Sequence, residues 1–270
     1  MAVVVVIIVV LALAGGGVAV FTGSSNTVSS PPGTATLPAA RQLLRSALRA
    51  AGHVGSFHYV ASSSLSGPNG GSSRTIGDAG PDRGRQVITT GAQRFTVLVI
   101  GTACYLKGNA AALVSNLDFS SSDAATHAGQ WISLAPADAP YATVYAAVTA
   151  PAAIADNITV VPQDLLPTTT VGGRTVQTIS GAIAPVNIPG QTTSTPKGTA
   201  TLAVRASAPQ LPVRYTERGT LNHQQSSATV SFSKWGESVH VTAPVGAIAW
   251  AQVGAGSGPV APTPGGTFLT

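Results

Sequence analysis

Residues 211–244 read LPVRYTERGTLNHQQSSATVSFSKWGESVHVTAP, and three times within this stretch apolar and polar residues trade places at every step. Val213 and Tyr215 alternate with Arg214 and Thr216, Val230 and Phe232 with Ser231 and Ser233, Val239 and Val241 with His240 and Thr242. A period of two is what a strand with one buried face requires, so three successive strands are expected. Residues 219–222 and the pair Trp235-Gly236 punctuate them, and Pro209 and Pro244, which lack an N–H, bound the set. Such a meander has one apolar face, which must be covered by helices, by another sheet or by a ligand. Which of these covers it is the functional question.

A chain of 270 residues with 44% hydrophobic content can bury a core of ordinary size. Only 9% of residues are charged, so the surface is polar through Ser, Thr and Gly. The net charge of +5 comes from scattered Lys and Arg, without the dense basic run that binding to phosphate backbones requires, which argues against a nucleic-acid partner. Cys104, the only cysteine, excludes an intrachain disulfide and any multi-cysteine metal site, and its apolar neighbours point to an inert core thiol.

Residues 2–21 form an uninterrupted uncharged run, long enough to cross a bilayer as a helix. Two readings compete: a membrane anchor, or an export signal cleaved at the A-x-A site Ala12-Leu13-Ala14. Either places the rest of the chain outside the cytoplasm. Residues 22–37, rich in Ser, Thr, Pro and Gly, read as a flexible linker, residues 38–250 as one domain, and residues 251–270 as a disordered tail.

A helix is expected over residues 37–51, with Ala40, Leu44, Ala47, Leu48 and Ala51 on one face. Arg41, Arg45 and Arg49 step along the other face at intervals of four. The stripe is read either as a solvated face or, close behind a membrane segment, as a contact for anionic lipid headgroups. Strands are expected over residues 57–65, 74–79, 85–90, 95–100, 103–107, 131–134, 175–183 and 199–206, and further helices over 109–117 and 141–150, the last stopped by Pro151.

No catalytic motif stands out. Ser194-Thr195-Pro196-Lys197 and Ser231-Phe232-Ser233-Lys234 both match S-x-x-K, but the first sits in a Pro-bearing loop, and in a strand the second sends Ser and Lys to opposite faces. His53, His58, His127, His223 and His240 lack metal-ligand spacing, and the acids fall mostly where turns and caps are expected. No enzyme activity, cofactor or metal is therefore expected.

Several short motifs, taken in order, resemble the LppX/LprG-type envelope lipoproteins and the wider LolA/LolB carrier fold. They are the helix leading into Ser56-Phe57-His58, Tyr105-Leu106-Lys107-Gly108 followed by Trp131, Leu211-Pro212-Val213-Arg214, and Phe232-Ser233-Lys234-Trp235-Gly236 running on to Pro244. The resemblance implies an α+β fold: a strongly curved antiparallel sheet, a half-barrel, whose concave apolar face is covered by helices and holds acyl chains. It implies lipid or a lipidated ligand as partner, at the membrane on its extracytoplasmic side. One departure is plain. Those lipoproteins carry a lipobox ending in cysteine, whereas here Leu13-Ala14-Gly15 is followed by Gly16, so no acyl anchor can be attached and the apolar run is left as the anchor. The competing expectation is an envelope ectodomain that binds another protein without lipid; low aromatic content, 5%, favours room for a ligand.

Overall fold

The computed structural model describes residues 36–67, 70–149, 154, 158–184, 197–221 and 224–253. The expected anchor at 2–21, almost all of the expected linker and the tail beyond Val253 lie outside them. Among the described residues no helix is long and apolar enough to cross a membrane.

The chain opens with α1 (Thr36–Val54) and continues through β1 (Phe57–Leu65), β2 (Gly71–Ala79), β3 (Arg83–Thr90), β4 (Gln93–Ile100) and β5 (Ala103–Gly108). After α2 (Ala110–Leu117), α3 (Ser121–His127), β6 (Ile132–Leu134) and α4 (Tyr141–Val148) come β7 (Val160–Val171), β8 (Arg174–Ile183), β9 (Lys197–Arg205), β10 (Pro212–Leu221), β11 (Gln224–Ser233) and the short β12 (Ile248–Ala249). The strands form one large, open, curved sheet in the order β12-β6-β5-β4-β3-β2-β1-β11-β10-β9-β8-β7. All neighbours are antiparallel except β12 and β6. Two meanders, β1–β6 and β7–β11, are thus joined where β1 lies against β11, Tyr59 opposite Phe232 and Ala61 opposite Val230.

That pairing corrects one expectation. The alternation at Val239 and Val241 does not form a third strand after β11, although it predicted one. Both sides of β11 are already occupied, by β1 and by β10, so no row of free N–H and C=O groups remains for it. The chain turns at Lys234 and Gly236, both with positive φ (51° and 82°), and Gly236 donates its N–H to Ser56 O at 3.0 Å. It then travels to the opposite edge of the sheet, where β12 pairs with β6.

The expected helix at 37–51 is α1, longer at both ends and stopped at Gly55, whose φ of 72° suits glycine. Its buried line is Ala40, Leu43, Ala47 and Ala51, while Leu48 is exposed. The buried face is therefore rotated from the expected one: Leu43 replaces Leu48, as the helix packs chiefly against β7 and also touches β8 and β10. The strand β7 gave no sequence signal. Its VVPQDLLPTTTV carries two prolines, and its pairing with β8 slips at Pro162/Asp164 and at Leu166/Thr169. An edge strand tolerates both, since one of its sides needs no hydrogen bonds.

Candidate functional site

Strand register shows which side chains share a face. One row crosses the sheet through Phe232, Tyr59, Gly77, Gln86, Val97, Leu106 and Ile132. A second runs through Ala61, Val230, Tyr215, Leu202, Ile179 and Leu165. Both lie on the face that the helices cover, and the buried residues there form two separate apolar clusters. The first joins α1 through Ala40, Leu43, Ala47 and Ala51 to Tyr59, Val230, Leu202 and Ile179. The second joins α2 and α4 through Leu113, Val144 and Val148 to Val97, Val99 and Leu106.

Between the two clusters lies a seam on β2 and β3, made of Thr75, Gly77, Gly84 and Gln86. Gly77 is required because the Tyr59 ring lies directly over it, where a Cβ would collide with the ring. Tyr59 crosses β2 in this way and donates its hydroxyl to Gln86 Oε1 at 2.7 Å. Gln86 is 1% exposed, and its Nε2 has no partner among the described residues. Gly84 is required because the Val148 carbonyl at the end of α4 lies against it.

The α1 side has its own polar group. Glu217 lies two residues beyond Tyr215 on the same covered face, and Tyr215 donates to Glu217 Oε2 at 2.8 Å while a second 2.8 Å bond joins Thr159 Oγ1 to the Tyr215 oxygen. Burial raises the carboxyl of Glu217 above its ordinary value, outweighing the hydrogen bonds from Tyr215 and Thr159 that favour the anion. Burial likewise raises the Tyr215 hydroxyl, with the Glu217 charge adding to it. At one end of this side Phe57, Phe232 and Trp235 meet in tilted and edge-on contacts at 4.9–6.0 Å between ring centroids, and the Trp235 ring N–H donates to Pro212 O at 3.1 Å.

A depression of about 550 Å3 lies at the far ends of β1, β2 and β11, lined by Ser62, Ser64, Ser72, Ser227 and Thr229 with Arg74 beside them. These residues alternate away from the covered face, whereas Ser63, Ser73 and Ala228, which also line the depression, share the parity of Ala61. Hydroxyls and one guanidinium suit water, not an acyl chain, so this depression has the wrong chemistry for an apolar cargo.

The sequence-derived candidates separate clearly. Arg41, Arg45 and Arg49 are all exposed along one side of α1, as their spacing requires. Ser231 lies on β11, and Lys234, just past its end, pairs with Glu237 at 3.4 Å, so the S-x-x-K match there is no catalytic pair. Residues 194–196 of the other match lie outside the described residues, as do His223 and Asp156. Cys104 is buried, with burial pushing its thiol up to about 12. Among the described residues no group of His, Cys, Asp and Glu could hold a metal. Three acids depart from the expectation of turns and caps: Asp78 lies near the end of β2 with His58 Nδ1 at 2.7 Å, Asp164 lies on β7, and the half-buried Glu217 lies on β10. Glu217 had a signal, its spacing of two from Tyr215; Val213 keeps no such parity, because the bulge between Pro212 and Arg214 sets it with Val176 and Ala203 in a separate cluster. Gln86 had none beyond its place between Gly84 and Ile88.

No family model matches the chain, and no curated protein matches it. Solved structures do. LprF from Mycobacterium bovis superposes with a TM-score of 0.47 at 16% identity, covering 77% of this chain and 98% of its own. Lipoprotein LppX from Mycobacterium tuberculosis gives 0.42 at 15%, covering 76% and 99%. A LolA superfamily protein from Nitrosomonas europaea gives 0.28 at 12%, covering 74% and 94%. The solved structures that superpose on this chain thus include LprF, LppX and a LolA superfamily protein.

Proposed function

We propose that this chain is a non-enzymatic lipid carrier, held on the extracytoplasmic side of a membrane, which takes up acyl chains between its two groups of covering helices. The observation that carries the reading is the division of one sheet face into two apolar clusters, with a seam of small and polar residues between them. A cover made as two parts can separate along the seam without dismantling either part. Each methylene of a cargo lodged there gains about 0.8 kcal/mol by leaving water. The motifs resembling LppX/LprG-type lipoproteins and LolA/LolB carriers support the same reading. In this proposal residues 2–21 anchor the chain, 22–37 tether it, 38–250 form the carrier domain, and 251–270 trail from it.

The test is native mass spectrometry, with lipid extraction, of the full chain purified from its source. A co-purifying acyl lipid is the expected result. A lipid-free chain overturns the reading, and a lipid-free chain bound to one stoichiometric protein replaces it with the partner-binding ectodomain.

A further inference from the structure

The row that crosses the covered face is apolar on both sides and polar at one place. Phe232 lies on one side and Val97, Leu106 and Ile132 on the other, yet the row contains a fully buried amide. The Oε1 of Gln86 is occupied by the Tyr59 hydroxyl, which fixes the side chain across β2. Its Nε2 is left with two N–H donors, shielded from solvent and without an acceptor among the described residues. A buried donor without a partner is costly, and a Met or Leu at this position would avoid the cost, so the orphan group calls for an occupant.

The surroundings define that occupant. It must accept a hydrogen bond. It is not an anion, because Arg83 pairs with Asp82 and Arg74 and Arg85 alternate onto the opposite face, which leaves no cation of β2 or β3 beside Gln86. It must also continue into apolar material on either side. A carbonyl oxygen between hydrocarbon arms meets all three conditions.

We propose that Gln86, held by Tyr59, is the specificity residue of the carrier site: its Nε2 donates to the carbonyl of a bound acyl ester and sets the depth at which the chains lie in the seam. This rests on the lipid-carrier reading and adds to it a preference for acyl esters over alkyl ethers. The experiment measures binding of dioleoylglycerol and of its dioleyl ether counterpart, which lacks the carbonyls, to the full chain by displacement of a fluorescent fatty-acid probe. The wild-type chain is expected to hold the ester about tenfold more tightly, the factor for a satisfied against an orphaned buried donor. Gln86→Met is expected to abolish the ester preference, and a far-UV circular dichroism spectrum matching that of the wild-type chain shows that the variant is folded. Equal affinities in the wild-type chain overturn the inference without any variant, and so does an ester preference that survives Gln86→Met. Binding of neither lipid overturns the carrier reading itself.

Discussion

On the β7–β11 side the cover is one long helix that precedes the sheet, whereas on the β3–β6 side it is three short helices that follow β5 in the chain. The short helices are fastened. Asn109 caps α2 by accepting from Ala112 N at 3.0 Å and donates to Ala92 O at 2.7 Å, binding the helix to the turn before β4. Tyr141 donates to Thr102 O at 2.8 Å, and α4 ends with the Val148 carbonyl against Gly84. In contrast, the fully covered line of α1, Ala40, Leu43, Ala47 and Ala51, is mostly alanine, with Leu44 and Val54 packed partly buried beside it. Alanines bury little area and interlock little, so α1 is the part of the cover that can shift at least cost. The charges differ as well: α1 exposes three arginines, while α2, α3 and α4 contain no Lys or Arg.

The largest effect that tests this division comes from emptying each cluster separately. Leu202→Ala and Leu106→Ala, both at fully buried positions, should each cost about 3 kcal/mol in urea unfolding. Because the two residues belong to different clusters, the double variant should cost the sum to within about 0.5 kcal/mol. A coupling above about 1 kcal/mol would mean a single core and no seam.

A smaller effect, confined to the α1 side, is pH dependence. Glu217 has its carboxyl raised in the folded state, so above the ordinary value of 4.5 the unfolded chain releases its proton first and stability falls as pH rises, until the folded carboxyl has also ionised. Glu217→Gln should flatten that decline and leave the protein more stable near neutrality. No acid occupies the covered face of β2–β6 among the described residues, so hydrogen exchange should show the change around β10 and α1. Parallel pH profiles for both proteins would remove Glu217 from the account.

The smallest effect on folding should come from replacing Arg41, Arg45 and Arg49 by Gln, with stability unchanged within about 0.5 kcal/mol because all three are exposed. If α1 faces headgroups, the triple variant of a chain starting at residue 22 should lose binding to anionic vesicles at low salt, and high salt should erase the difference. Unchanged binding at low salt would make the stripe a solvated face.

Much of the sheet was legible because β1, β4, β5, β10 and β11 each bury one face against helices, which imposes a period of two on their residues. The strand β7 was hidden because an edge strand with prolines and bulges has no such obligation. The segment around Val239 failed in the opposite sense: its alternation is real, but a strand also needs a neighbour with free hydrogen-bonding groups, and that depends on the whole sheet order. The same limit applied to the site. Parity places Glu217 beside Tyr215, but only the folded chain shows it half-buried under the hydroxyl of Tyr215, with Thr159 bonded to the same oxygen. Gln86 is an ordinary polar residue in sequence, and its isolation becomes visible only when Tyr59 is seen to reach it over Gly77.

The pairing of β1 with β11 also bears on how such a chain is made. These strands are the first and nearly the last of the sheet, so a polypeptide emerging from its N-terminus presents β1 with one side unpaired until residue 233 has followed. An open edge in the middle of a large sheet is a template for pairing with other chains, and the loop to be closed is long. A chain truncated before Gln224 would retain α1 and ten of the twelve strands yet expose that edge, so it should self-associate where the complete sheet does not.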